Sequence, residues 1–339
     1  MERGVDQDPR ERLQRMLPDI RVIQMIYVAA KLGIADLLGE GPATVDELAK
    51  ACSAHAPSLY RLLRALASLG IFTEAAPMKF GLTDLAELLR SDVPGSIKNK
   101  ALWLGEPWRW RPFGELLFSV RTGQPAFEHI FGQKIFDYLH VDQEANAIFN
   151  RTMTEMTLIQ GAALAEVYDF SHASKVVDIG GGHGALLSGI LKRYPESQGV
   201  LFDNPAVLEG AGSLLSTAGI LERCQLVGGS FFGDLPRGGD IYILKHILHD
   251  WDDERALSIL RNCRAAMEQQ AKLLIVEWVI PPGNTQHHGK IVDIGMLAIF
   301  GSQERTAEEY RELLSKAGFK IKSILPTPAT VDIIEAYPA

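Results

Sequence analysis

The sequence predicts an α/β fold, in which a mostly parallel sheet covered by helices on both faces follows a mainly helical N-terminal domain. Three observations predict it. Beyond about Val167, short apolar runs alternate with helical patterns, which implies right-handed crossovers between parallel strands. The stretch "KVVDIGGGHGALLSGIL", Lys175 to Leu191, places a glycine loop between the first of these runs and the first helix. Earlier residues show helical spacing instead. The expected division is residues 1–95, a compact N-terminal domain, residues 96–165, linking helices, and residues 166–339, the sheet domain.

Composition sets the outer limits. A chain of 339 residues has room for about two domains, and 47% hydrophobic with 22% charged residues is an ordinary globular balance. A net charge of −8 argues against bulk attraction to nucleic acid or an anionic membrane. Cys52, Cys224 and Cys263 lack metal-ligand spacing and are too few for a disulfide framework. The stretch "MERGVDQDPRERLQRML" is too charged for a signal peptide, and no apolar run approaches the ~18 residues of a membrane span. A cytoplasmic location is expected, with no metal and no membrane contact.

Taken in order, apolar residues at helical spacing from Pro18 to Leu38 (Ile20, Ile23, Ile26, Tyr27, Ala30) predict a helix closing through Gly39. Thr44 with Glu47 fits a capping box, Ser58 a second N-cap, and Gly70 a helix stop before a short hairpin. This helix-turn-helix-hairpin order resembles a winged helix. Residues 41–92 hold five Lys or Arg against six Asp or Glu, net −1, whereas a DNA reader shows a basic face. Dimerisation or substrate enclosure is therefore expected, with DNA binding as the alternative. Residues 96–165 are rich in aromatics, and Trp103, Trp108 and Trp110 beside a Pro-broken loop suit either a core or the wall of an apolar ligand site.

Predicted strands are Lys175–Asp178, Gly199–Phe202, Cys224–Val227, Ile241–Lys245, Leu273–Glu277, Ile321–Leu325 and Val331–Ala336. Only "PTPAT" separates the last two, so they form a hairpin and one antiparallel strand stands at the end of the sheet. The run "DDERALSILRNCRAAM" is an amphipathic helix with acids at its N-terminal end, as the helix dipole favours. His287 and His288 lie in the loop "PPGNTQHHG", where a surface position accounts for them without a metal.

The glycine loop is ambiguous by itself, since Gly180-x-Gly182-x-x-Ala185 also satisfies a dinucleotide fingerprint. Asp178 separates the readings. A diphosphate at the helix N-terminus would be repelled by a carboxylate beneath it, whereas a ligand carrying ammonium and sulfonium charges would be held. The alternative is an Asp that caps the loop through its own backbone N–H groups. Asp203, ending the second strand, suits both hydroxyls of a ribose in either case.

Four later motifs, "GGSFFGDLP", "YILKHILHDWDDE", "LLIVEWVIP" and "GMLAIFGSQERTAEEYRELLSKAGF", decide between ligands. In their order and spacing the chain resembles, over nearly its whole length, the small-molecule S-adenosylmethionine-dependent O-methyltransferases of plant caffeate, animal hydroxyindole and bacterial anthracycline or phenazine type. The resemblance implies a Rossmann-like class I methyltransferase sheet with its last strand antiparallel, a winged-helix dimerisation domain and a homodimer. It also implies that Gly180, Gly182 and Thr157 approach the methionine part of the cofactor, Asp203 the ribose, and Phe231 the adenine, with Lys245 beside them. His249 matches the family's general base, Glu277 and Glu304 the two acids that flank it, and Asp250 belongs to the same motif. Phe149 and Met153 match positions lining the acceptor pocket. Ser230 stands where the family commonly has an acid that holds the adenosine end.

The implied reaction is methyl transfer to a hydroxyl of an aromatic or polyketide-like molecule. A phenol, with a pKa of about 10, is mostly neutral at pH 7, and a histidine, ordinarily near 6.5, suits removal of its proton. Two alternatives stay open at this point: a same-fold relative that uses the bound cofactor for hydroxylation, decarboxylation or cyclisation, and a winged-helix regulator.

Overall fold

The computed structural model describes residues 8–15, 17 and 20–339, which divide into two compact units, Met1–Trp110 and Arg111–Ala339. The helix expected to start at Pro18, itself outside the described residues, runs over Ile20–Lys31 and then breaks. Gly33 takes a left-handed φ of 67° there, and a short second helix, Ile34–Leu37, follows.

In the first unit Thr44 forms the expected capping box on the helix Val45–Ala51: its hydroxyl accepts from the Glu47 amide at 3.3 Å, and its own amide donates to Glu47 Oε2 at 2.8 Å. The following helix, Ala56–Ser68, begins ahead of Ser58, the cap read from sequence. Pro57 is tolerated in the first turn, where its missing N–H has no partner to lose, so the helix starts earlier and His55 occupies the cap position. Leu59, Leu63 and Leu66 recur at helical spacing and are buried against Phe72 and Phe80. Those phenylalanines belong to a three-stranded antiparallel sheet of β1 (Ala43–Thr44), β2 (Phe72–Ala76) and β3 (Lys79–Leu82), in the order β1-β3-β2. Trp103 and Trp108 also fall in this unit. Arg109 stacks its guanidinium 4.3 Å from the Trp103 ring, and Trp108 is 3% exposed. Tyr27 and Lys31 both donate to Glu106 Oε1, at 3.1 and 2.8 Å, which ties this segment to the helix Ile20–Lys31.

The second unit is built on seven strands: β4 (Lys175–Ile179), β5 (Gln198–Asp203), β6 (Cys224–Gly228), β7 (Ile241–Lys245), β8 (Lys272–Glu277), β9 (Phe319–Pro326) and β10 (Asp332–Pro338). Their order is β6-β5-β4-β7-β8-β10-β9, with β4 to β8 mutually parallel. The last strand is antiparallel, as expected, but it lies one place in from the edge, between β8 and β9. Burial explains the insertion. β10 carries consecutive apolar residues, Ile333 and Ile334, both fully buried, whereas β9 exposes Lys320 and suits an edge.

Alternate residues of each central strand enter two cores. Val177, Ile179, Leu244 and Ile275 pack with the helices Asp253–Ala266 and Ala307–Lys316, while Val176, Leu201, Ile243 and Val276 pack on the opposite side with Ala185–Arg193 and Ala211–Thr217. Strand order reverses between β4 and β7, and open α/β sheets take ligands at the C-terminal strand ends of such a switch point. Among the described residues no helix is long and apolar enough to cross a membrane. Removing the first-unit cap, Thr44→Ala, is expected to cost about 1 kcal/mol and to speed hydrogen exchange at the Glu47 amide; unaltered exchange would show that the cap contributes nothing.

Candidate active site

The strand ends carry charge. Asp178, Asp203, Lys245 and Glu277 close or nearly close β4, β5, β7 and β8, so parallel packing collects them along one rim of the sheet. The glycine loop after β4 lies against that rim. A Cβ at Gly181 would stand 2.5 Å from Asp178 Oδ2, and Gly182 holds φ at 59° while its amide donates to Asp203 Oδ2 at 2.8 Å. Asn204 donates its amide to the other Asp203 oxygen at 2.6 Å. Asp203 thus caps the loop, the task that was the alternative for Asp178. Asp178 itself has no exposed surface, and neither of its oxygens has a hydrogen-bond partner.

Burial pushes the Asp178 carboxyl up to about 7, with nearby Lys245 pulling it down and Asp203 adding to the rise. Burial lowers Lys245 to about 8, against the pull of Glu277 and Asp178. The Lys245 ammonium donates to Thr157 Oγ1 at 3.1 Å from the long helix Gln143–Val167. Phe231 lies half-buried near the loop, so that a Cβ on Gly180 would be 3.8 Å from its ring, while Ser230 is exposed and its hydroxyl accepts from the Phe232 amide at 3.3 Å.

Beyond β7 the chain turns through His246, whose φ of 53° is left-handed, into a single tight turn, Leu248–Asp250, that carries His249. Glu277 organises this turn: its Oε1 accepts from the amides of Ile247, Leu248 and His249 at 3.1, 3.1 and 3.4 Å. Its Oε2 faces both imidazoles, 3.1 Å from His246 Nδ1 and 3.3 Å from His249 Nδ1. Glu304 Oε1 is 2.8 Å from His249 Nδ1, and Asp250 Oδ1 is 3.5 Å from His249 Nε2. Sequence reasoning therefore named four residues that the fold brings together: His249, Asp250, Glu277 and Glu304.

The carboxyls in this cluster are all raised, chiefly by burial. Glu277 and Asp250 reach about 7 and Glu304 about 8. Attraction to His249 opposes the rise in Glu277 and Asp250, and Arg305 opposes it in Glu304. Burial, Lys245 and His249 together hold His246 well below the usual histidine range.

Several participants lie outside the sequence prediction. His246 stacks on Trp278 with ring centres 4.3 Å apart, and its Nε2 stands 3.1 Å from Gln160 Oε1. Arg305, fully buried, donates to the carbonyls of Leu248 and Trp251, both at 2.9 Å, and to Asp253 Oδ1 at 2.8 Å. It clamps the turn on both sides of His249. Glu304 in turn donates its amide to Asp293 Oδ1 at 2.8 Å. On the helix Gln143–Val167, Phe149 makes an edge contact with Phe136, which adjoins Trp251 and Phe300 at 6.2 and 5.8 Å. Met153, half-buried, stands one turn further along the same face of that helix.

Comparison with known proteins shows what the chain as a whole is similar to. A family profile described as the O-methyltransferase domain matches residues 113–320, and one described as the O-methyltransferase dimerisation domain matches residues 15–92. The chain is 47% identical over 326 residues to the phenazine O-methyltransferase of Lysobacter antibioticus, covering 96% of this chain and 95% of that one. The crystal structure of LaPhzM aligns with a TM-score of 0.93 at 46% identity, over 98% of this chain and 100% of that chain. The O-methyltransferase NcsB1 from neocarzinostatin biosynthesis, solved with S-adenosylmethionine and 2-hydroxy-5-methyl naphthoic acid, aligns with a TM-score of 0.83 at 34% identity, over 96% and 98% of the two chains.

Asp178 makes stability depend on pH. Its carboxyl rises from 3.8 to about 7 on folding, so the folded chain keeps a proton that the unfolded chain has released, and stability falls as pH climbs through that window. Asp178→Asn removes this penalty. Its melting temperature should gain on that of the parent as pH rises from about 5 to about 8, measured without added ligand. A difference that stays constant across that range would show that Asp178 is ionised throughout.

Proposed function

The chain belongs to the small-molecule S-adenosylmethionine-dependent O-methyltransferase family, and on that premise we propose that it methylates a hydroxyl of an aromatic or polyketide-like secondary metabolite with His249 as general base. One observation carries the assignment: a buried imidazole whose Nδ1 is fixed 2.8 Å from Glu304 Oε1, with Nε2 at the other end of the ring. This imidazole–carboxylate set favours methyl transfer over other reactions of the bound cofactor. The net charge of −1 over residues 41–92 speaks against a nucleic-acid partner.

The residues present fit the cofactor. Asp178 is a buried carboxylate with both oxygens unpartnered, the group a cationic ligand would satisfy, and the glycine loop above it has no room for a Cβ at Gly181. Gly180, Gly182, Lys245 and Thr157 would hold the methionine end, Asp203 the ribose, and Phe231 with Ser230 the adenine end. S-adenosylmethionine, when bound, supplies a methyl group already activated on a sulfonium.

The chain's own task is to position the acceptor and move one proton. With Nδ1–H donated to Glu304, Nε2 carries the lone pair and takes the hydroxyl proton as the oxygen becomes nucleophilic. The imidazolium that results lies between Glu304 and Asp250, whose carboxyls are within 2.8 and 3.5 Å of its two nitrogens. Glu277 acts through the backbone, holding three amides of the turn that aims His249. Phe149 and Met153 line the acceptor side, which suits a flat apolar molecule.

A homodimer is part of the proposal. Residues 15–92 match the family's dimerisation domain, and the helix Ile20–Lys31 leaves Ile20 57% and Ile23 43% exposed. Light scattering at micromolar concentration should give twice the chain mass; a monomeric mass would remove this part.

His249→Ala should lower the rate of the chemical step by about 10²–10⁴-fold, while calorimetric affinity for S-adenosylhomocysteine stays near that of the parent. For a phenolic acceptor the variant should recover partly at high pH, where the acceptor ionises unaided. A loss below about tenfold at saturating cofactor would sink the role of His249 and leave positioning as the source of the rate.

A further inference from the structure

The cluster around Glu277 has a property that proton transfer does not require. His246 Nδ1 and His249 Nδ1 converge on the same carboxylate oxygen, Glu277 Oε2, at 3.1 and 3.3 Å, and one donor atom from each of the three residues lies within 4.8 Å of the other two. Donor atoms about 2.0–2.1 Å from a tetrahedral zinc ion stand about 3.3–3.4 Å apart, so these side chains need to move little to share one ion. Two imidazoles and a glutamate are also a donor set that zinc uses.

The surroundings strengthen the match. A metal-bound histidine ordinarily turns its second nitrogen to an oxygen that fixes its tautomer. His246 Nε2 faces Gln160 Oε1 at 3.1 Å, and His249 Nε2 faces Asp250 Oδ1 at 3.5 Å. Glu277 is anchored by three amides on Oε1, which leaves Oε2 as the oxygen on offer. A fourth donor is at hand in Glu304 Oε1, 2.8 Å from His249 Nδ1. Lys245 bears on Glu277 and Arg305 on Glu304, so two cations stand beside the three carboxyls Glu277, Glu304 and Asp250.

We propose that His246, His249 and Glu277, with Glu304 completing the shell, form a binding site for a divalent transition metal of the zinc class, and that occupation switches the enzyme off. The ion replaces the proton on His249 Nδ1, which in the metal-free cluster is donated to Glu304. That proton moves to Nε2, where Asp250 Oδ1, 3.5 Å away, holds the N–H at the position where the base needs a lone pair. Binding therefore removes the base. The ion is an inhibitor here, not a cofactor. The switching-off rests on His249 being the base; the binding does not.

Cobalt(II) provides the probe. The full chain, stripped with EDTA, should take up one cobalt per protomer with the visible absorption of a tetrahedral site, and calorimetry should give a single saturable isotherm. Zinc should displace cobalt, and methyl transfer should fall in proportion to occupancy and return with EDTA. His246→Gln should weaken cobalt binding by at least tenfold. If that variant fails to fold, Gln160→Leu, which removes only the oxygen behind His246, should cost about 10–100-fold in affinity. His287→Ala with His288→Ala, in the loop before the helix Gly289–Gly295, should change nothing. Absence of a saturable cobalt spectrum, binding that survives both cluster variants, or binding lost with the His287 and His288 pair would each overturn the site. Cobalt binding as described, with zinc leaving methyl transfer untouched, would uphold the site and overturn the role of His249 instead.

Discussion

Glu277 has no exposed surface, yet its Oε1 accepts from three consecutive backbone amides while its Oε2 faces two imidazoles. The rest of the site depends on this arrangement. A buried carboxylate without partners is expensive, and converging amides are what make it tolerable in a dry interior. Those amides belong to Ile247, Leu248 and His249, so satisfying the carboxylate also fixes the turn that carries His249. β8 is parallel to β7, which places the end of one strand beside the exit of the other. The turn that carries His249 is thus a consequence of sheet topology and one acid. Arg305 secures it from the far side through the carbonyls of Leu248 and Trp251, using the opposite polarity of the same backbone.

Around that anchor the strand ends accumulate charge that a stable protein would otherwise avoid. Asp178, Asp250, Glu277 and Glu304 are all raised by burial, and Lys245 is lowered by it. Each shift marks free energy spent on keeping a group dry, and such groups gather where a ligand or a proton transfer can use them. The same convergence of His246, His249 and Glu277 underlies both the proposed base and the proposed metal site.

How much of this was readable from sequence differs by element. The central strands β4, β5, β7 and β8 were legible because strands buried on both faces read as continuous apolar runs, here with a charged residue at or beside the end. Asp178, Asp203, Lys245 and Glu277 stood out for that reason. The place of β10 was less plain: a five-residue connection fixes its pairing with β9 but not which strand of the hairpin meets β8, and the lysines of β9 hold that information. Ser58 misled as a cap because Pro57 lets the helix start sooner. His246 carries no signal of its own in the sequence, since its left-handed backbone turns the ring toward Trp278 and Glu277 in a way no alternation pattern reports. Gln160 and Phe136 reach the cluster or its aromatic neighbours from segments with no motif of their own, and only tertiary packing assembles them.

The two glutamates beside His249 have different tasks. Glu304 makes the shorter contact with Nδ1, 2.8 Å against 3.3 Å for Glu277, and its Oε2 is buried without a partner. Glu277 has both oxygens engaged. A carboxylate with a spare oxygen can follow the imidazole as it gains charge, whereas one bound to three amides cannot move without unfolding the turn. On the proposal that His249 is the base, Glu304 is suited to answer the charge that would arise on it, and Glu277 to keep the ring in place. The two are adjacent to the same nitrogen because orientation and charge stabilisation must act on one atom, and a single carboxylate cannot be both held by the backbone and free to respond.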